Sequence, residues 1–350
     1  MRIPLSLAAL VAGVTVFALA GCAETAEPKQ SGSASAEAVA DGAFTLYSGR
    51  DEALVQPLID KFERDSGISV DVRYGKTAEL GALLLEEGEA TPAQVFLAQD
   101  AGALGALANA GLFATLPKET TTAVPAGFTS TDDAWVGVTG RARVIAYDSK
   151  ALTAAEVPSS VDAFTDASWA GKFGIAPSNA SFQAFVTAYR VLNGEAAADD
   201  WVSAIAANDP VIFDNNRGVL AGVNDGVIEA GLINHYYWFA QAAETGEANM
   251  RAQLSYPEAG DAGSIVNVTG AGLLAGAAGD ADALEFINYL VGKDAQQYFV
   301  DETYEYPLIA GIDAPAGLPA LDSLVNSKLD LADLDTLADT QDLLAKHGLI

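Results

Sequence analysis

The stretch INHYYWFA, residues 233–240, sets Tyr236 and Tyr237 side by side in a chain with only two histidines and one cysteine. A phenol has a pKa near ~10 and keeps its proton at neutral pH, so only a strongly charged metal ion displaces that proton and takes the oxygen as a ligand. Adjacent side chains diverge along a single helix or strand, and both reach one ion only at a strand-to-helix turn. The pattern AGLINHYY reads as a strand running into a helix, which supplies such a turn. On its own the pair is also what a packed core would hold. His235, next to the tyrosines, points away from Tyr236 if the strand continues, which suits a supporting role.

A second group of residues suits an anion. In APSNASFQAF, Ser178 or Asn179 precedes a helical pattern, so the backbone N–H groups around Ser178, Asn179 and Ala180 would face an anion at the helix start. An ordinary helix cap is the alternative. Basic residues are scarce, and GRARV carries two of them, Arg141 and Arg143, at the alternate spacing that puts both on one face of a strand. One could face a cleft and neutralise the anion while the other bridges two lobes. Asn215 and Asn216 could donate further hydrogen bonds.

Alternating patterns must position these groups. AFTLYS reads as a strand, and DEALVQPLIDKFERDSG places Leu54, Val55, Leu58, Ile59 and Phe62 on one helical face before stopping at Gly67. ISVDVRY alternates like a strand, TAELGALLLEEG reads as a helix capped by Thr77, and AQVFLAQ as a buried strand. This β-α-β-α-β order predicts a parallel sheet with helices on both faces, in an α/β fold. A second set follows in RVIAYD, KFGIAP, SFQAFVTAYRVLNG, GSIVNVTGAGLL, ADALEFINYLVG and DAQQYFVDET. No linker separates the two sets. Two lobes joined by crossing strands, with a ligand cleft at their strand ends, account for the pattern.

With 18 basic and 47 acidic residues the net charge is −29, which repels nucleic acid and favours cations or neutral solutes. Residues 1–21, MRIPLSLAALVAGVTVFALAG, read as an export signal: Arg2, an uncharged apolar run, then small residues directly before Cys22. The LAGC ending resembles the lipobox of bacterial lipoproteins, which implies cleavage before Cys22 and a lipid joined to its thiol. Residues 22–41 read as a flexible tether, so the folded part is expected outside the cytoplasm, anchored to a membrane. No H-E-x-x-H, G-x-S-x-G or P-loop motif is present, and a catalytic triad would have to draw on His235 or His347, so no enzyme activity is expected.

Six stretches together resemble the ferric-ion-binding branch of bacterial extracytoplasmic solute-binding proteins, the receptors of iron ABC transporters. They are LYSGRDEALVQPLIDKFERDSGISVDVRYG, EGEATPAQVFLAQDAGALGALANAGLF, GVTGRARVIAYD, PSNASFQAFVTAYRVLNGE, INHYYW and YEYPLI, in the expected order over most of residues 43–310. The resemblance implies a two-lobed type II periplasmic-binding-protein fold that closes on its ligand and delivers it to a membrane permease; a monomer is expected. The lobes are expected over residues 42–142 with about 268–318, and 143–267 with about 319–350. It also implies that Tyr236 and Tyr237 bind Fe(III) as phenolates, which agrees with the preference of a hard cation for anionic oxygen.

This chain departs from the pattern at other ligands. Where many relatives continue YSGR with histidine, and sometimes tyrosine, it has Asp51 and Glu52. Where relatives place a glutamate it has Gln99, and where some place a tyrosine it has Ser181. Asp51 or Glu52 could replace the missing donor, Asp100 could swing in, or Asp51 and Glu52 could be ordinary acids at a helix N-terminus. Two protein ligands alone leave an iron shell open, so carbonate, phosphate or citrate is expected beside the metal, held by the segment around Ser178. The alternative within binding proteins is a receptor for an oxyanion, polyamine or sugar phosphate.

Overall fold

The computed structural model describes residues 40–324 and 328–350. The signal, Cys22 and nearly all of the tether lie outside the described residues. In chain order the elements are β1 (Ala43–Ser48), α1 (Glu52–Ser66), β2 (Ser69–Tyr74), α2 (Thr77–Glu87), β3 (Val95–Ala98), α3 (Ala101–Asn109), α4 (Lys118–Thr121) and β4 (Val136–Asp148). They continue with β5 (Phe173–Ile175), α5 (Ala180–Asn193), α6 (Glu195–Ala207), β6 (Val211–Ile212), α7 (Asn216–Asp225), β7 (Ala230–Asn234), α8 (His235–Thr245) and β8 (Ala252–Ser255). The last are β9 (Val266–Leu273), α9 (Ala281–Leu290), α10 (Lys293–Tyr298), β10 (Tyr306–Pro307) and α11 (Leu337–Lys346).

The α/β alternation produces the expected parallel pairings, β1 with β2 and β3, and β5 with β6 and β7. The strand order is β2-β1-β3-β9-β4-β7-β5-β6, with β8 and β10 also paired to β4. The long strand β4 is shared. Its residues 136–142 run antiparallel to β9, whereas Arg143 to Tyr147 pair with β7, so the sheet passes from one half to the other between Ala142 and Arg143. RVIAYD, read from sequence as a strand, is the second part of this 13-residue element. Burial along all of β4 explains why no alternation marked its true length.

The C-terminal residues pack on both halves. Asn109 of α3 donates to Asp335 at 2.5 Å, and Thr340 of α11 meets Thr187 of α5 at 2.7 Å. The segment expected with the second lobe therefore spans the two.

Local chemistry explains the elements around the cleft. Helix α1 begins where the Asp51 carboxylate accepts from Ala53 N at 3.2 Å and ends at Gly67, whose φ of 78° lies in the left-handed region that glycine tolerates. Its buried stripe is Val55, Leu58, Ile59 and Phe62, with Leu54 half-buried. Thr77 is not the cap of α2. It is the first helical residue, and its buried hydroxyl donates to Gly49 O at 3.2 Å while accepting from Gln99 N at 3.1 Å. One side chain thus ties together the turns after β1, β2 and β3. The approach is close enough that a Cβ on Gly49 would stand 2.2 Å from the Thr77 oxygen.

The first half is packed by aromatic residues. Phe62 meets Phe44 and Phe286 with ring centroids 6.3 and 5.1 Å away. Phe62→Ala should lower the unfolding free energy by about 3–5 kcal/mol through lost burial and the cavity left behind, measured by urea denaturation. A change below about 1 kcal/mol would mean that this core collapses around the gap.

Candidate metal centre

Strand β7 passes into α8 with no residue between them. Asn234 holds extended backbone, φ −93° and ψ 147°, and His235 opens the helix. At this junction the side chains of Tyr236 and Tyr237 converge, with ring centroids 4.3 Å apart and planes 32° from parallel. Tyr236 is buried, and Tyr237 faces a cleft of about 770 Å³. Burial pushes the Tyr237 hydroxyl pKa well above its ordinary value, Tyr236 adding to the rise while Arg50 and Asn216 oppose it. The phenol therefore stays neutral until a cation supplies the energy to remove its proton.

Asp51, Glu52, Gln99, Ser178, Asn179, Ala180 and Asn215 line the same cleft. They come from the starts of α1, α5 and α7 and the turn after β3, because parallel strands deliver their following helices to one edge of the sheet. The two adjacent acids differ. Asp51 caps α1 and stands 3.6 Å from Arg217 of α7 in the other half, so both its oxygens are engaged. Among the described residues Glu52 has no hydrogen-bond or ion-pair partner, so of the two its carboxylate is the free one. Asn179 is the cap of α5, accepting from Ser181 N at 3.0 Å, and Asn215 caps α7, accepting from Gly218 N at 2.9 Å. The positive ends of both helices thus open on the cleft.

Three expected roles are corrected by geometry. Neither Arg141 nor Arg143 lines the cleft. Arg143 is buried between Phe182 and Phe185 and donates to Leu232 O at 3.0 Å and Ser181 Oγ at 3.2 Å. Its hydrogen bond to the start of α5 goes to Ser181, whose hydroxyl donates to Asn179 at 2.7 Å and accepts from Asn216 at 3.0 Å. Burial pulls the Arg143 pKa down to about 9, Tyr237 and Tyr236 acting the other way. Arg141 donates to Val268 O at 3.1 Å, and its charge favours the ionised form of Asp100 against the effect of burial. Asp100 cannot swing into the cleft, because it is buried and caps α3 by accepting from Ala103 N at 3.2 Å. These strand residues turn inward because β4 is covered on both faces.

His235 is fully buried. Nδ1 accepts from Ala142 N at 3.1 Å, so Nε2 carries the proton and donates to Tyr304 O at 2.9 Å. Burial lowers its pKa to about 4, and the ring is a neutral brace behind the tyrosines.

Among the described residues no three of His, Cys, Asp and Glu gather in a metal-binding group. Residues 90–327 match the sequence pattern of the bacterial extracellular solute-binding proteins. The chain belongs to this family. Over 314 residues it is 33% identical to the Fe(3+)-binding periplasmic protein of Serratia marcescens, covering 89% of this chain and 92% of that one. The solved structure of iron-bound HitA from Pseudomonas aeruginosa superposes with a TM-score of 0.83 at 32% identity, over 88% of this chain and 99% of the other. The Trichodesmium protein IdiA (FutA), solved with iron and citrate ligands, follows at 0.74 and 26%, over 88% and 100%. The fold is the two-lobed type II periplasmic-binding-protein fold.

In this solute-binding protein, sequence reasoning passed over a buried pair behind the tyrosines. Arg50 donates to Thr269 Oγ1 at 2.9 Å and forms an ion pair with Glu305, which also accepts from Thr139. Its positive charge acts on Tyr236 and Tyr237. The available signal was a glutamate set among aromatic and apolar residues in YEYPLI. Arg50→Gln should destabilise the protein by about 3–5 kcal/mol, since Glu305 would remain buried without its cation. Urea unfolding of the metal-free protein reads this directly, and a loss under about 1 kcal/mol would show that the pair is replaceable.

Proposed function

We propose that this chain is an extracytoplasmic receptor that captures Fe(III) in its inter-lobe cleft and hands it to the permease of an ABC transporter. The observation that carries the reading is the convergence of Tyr236 and Tyr237 at the β7–α8 junction, with Tyr237 opening on the cleft that Glu52 and the starts of α5 and α7 also line. The ferric-binding names of the relatives point the same way. Tyr236 and Tyr237 act as phenolate ligands and Glu52 as the carboxylate, while Asp51 stays with its helix and Arg217. Carbonate, phosphate or citrate completes the shell against Ser178, Asn179, Ala180 and Asn215, with Arg143 supporting that corner through Ser181. The protein works as a monomer without turnover. Cys22 carries the lipid that holds it on the outer face of the cytoplasmic membrane, and residues 22–41 are the leash. Among the described residues no helix is long and apolar enough to cross a membrane.

Iron-loaded protein should be coloured by phenolate-to-Fe(III) charge transfer. The pair Tyr236→Phe and Tyr237→Phe should remove the band and weaken iron binding at least about 1000-fold, roughly 4 kcal/mol, in a chelator competition. Each phenol gives up its proton only on binding, so affinity should fall as pH falls, by up to about 100-fold per unit for two protons. Undiminished affinity in the double variant would move the site elsewhere.

The two acids are separable. Glu52→Gln should weaken iron binding about 10-fold, whereas Asp51→Asn, which keeps a good helix cap, should change it less than about 2-fold. The reverse ranking would make Asp51 the ligand and Glu52 a solvated acid.

A further inference from the structure

A second pocket, of about 420 Å³, shares no lining residue with the iron cleft. It lies between α8, which follows β7 in the second half of the sheet, and the turn after α10, which leads to β10 on the first half. Its walls include Phe239, Val300, Tyr304, Asp301 and Asp313.

The backbone here is unusual in two ways. Phe299–Thr303 is π-helical, and Tyr304 then takes φ 58°, a left-handed conformation that a bulky residue seldom adopts. Partners on both sides hold it there. The Tyr304 carbonyl accepts from His235 Nε2 at 2.9 Å, and the next residue is the buried Glu305. The consequence is that the Tyr304 ring lies opposite Phe239, with centroids 6.4 Å apart and planes 24° from parallel. Local strain maintained from both ends and directed at a pocket is a feature of binding sites.

The chemistry of the lining selects the ligand. Asp301 accepts from Gln297 Nε2 at 2.9 Å, and Asp313 has no hydrogen-bond or ion-pair partner among the described residues. Among the described residues no Lys, Arg or His lines the pocket. Two carboxylates disfavour an anion, and an uncharged apolar ligand would make no use of them. A bare metal ion would require a larger gathering of donors than the two carboxylates here. Aromatic faces beside carboxylates are the surroundings in which an organic cation is held.

We propose that this pocket is a second binding site, for a small organic cation of the ammonium or guanidinium class. It does not depend on the iron reading. The test titrates the purified protein with choline and with ethylguanidinium, up to about 10 mM in about 0.15 M salt, by saturation-transfer NMR. The uncharged carbon analogue of choline, 3,3-dimethylbutan-1-ol, is the control. At least one cation should bind saturably and the analogue should not. The double variant Asp301→Asn with Asp313→Asn, and separately Phe239→Leu, should each weaken binding at least about 10-fold while the Fe(III) band stays unchanged. The exposed Asp→Asn changes keep shape, so the test survives if Phe239→Leu fails to fold. No saturable binding of either cation, equal binding of the analogue, or binding unaffected by the Asp double variant would overturn the proposal. Absence of an iron band in the unsubstituted protein would strike the ferric reading and leave this one standing.

Discussion

Tyr236 and Tyr237 stand in the first turn of α8, which follows β7 without a connecting residue, Tyr237 lining the cleft and Tyr236 buried beside it. Within a strand they would point to opposite faces, and within a helix they would diverge by about 100°. At the junction, extended backbone at Asn234 is followed at once by helical backbone, and the two rings come within 4.3 Å of each other. The surrounding structure serves to hold that junction. His235 spans from Ala142 of β4 to Tyr304, so the start of α8, which follows β7 in the second half, is fixed to the first half of the sheet by one neutral imidazole.

Behind the tyrosines is a layer of polar groups linked to one another, in which Arg50 Nε, Arg143 Nε and Asn216 Oδ1 are buried without a partner among the described residues. Arg50 is neutralised by Glu305, and Glu305 is held by Thr139. Arg143, Ser181, Asn179 and Asn216 form a second chain of hydrogen bonds ending at the start of α5. A hydrogen-bonded buried network fixes side-chain positions more sharply than apolar packing does. A hard cation held by few protein ligands depends on that accuracy, because a small displacement of one oxygen changes the whole coordination shell.

The division of labour between Asp51 and Glu52 follows from helix geometry. The residue just before a helix accepts the free N–H groups, and the first residue within it points outward. Asp51 takes the first place and Glu52 the second. Arg217 then reaches Asp51 from α7 across the cleft, an exposed pair of the kind worth at most about 1 kcal/mol.

Much was determined by the amino-acid sequence alone. The α/β class, the parallel β1–β3 unit, the strand-to-helix step at the tyrosines and the capped start of α5 are local patterns, governed by periodicity and capping chemistry over a few residues. The order of the six quoted stretches also carried the family. Other features were decided only by tertiary structure. Thr77 left its expected cap to join three turns, Arg141 turned inward to the Val268 carbonyl, and Asp100 was buried as the cap of α3. The Arg50–Glu305 pair joins residues 255 apart in the chain. No local pattern records such a pairing, because a buried charge is tolerable only where distant chain segments bring its partner, and that partner is chosen by the packing of the whole sheet.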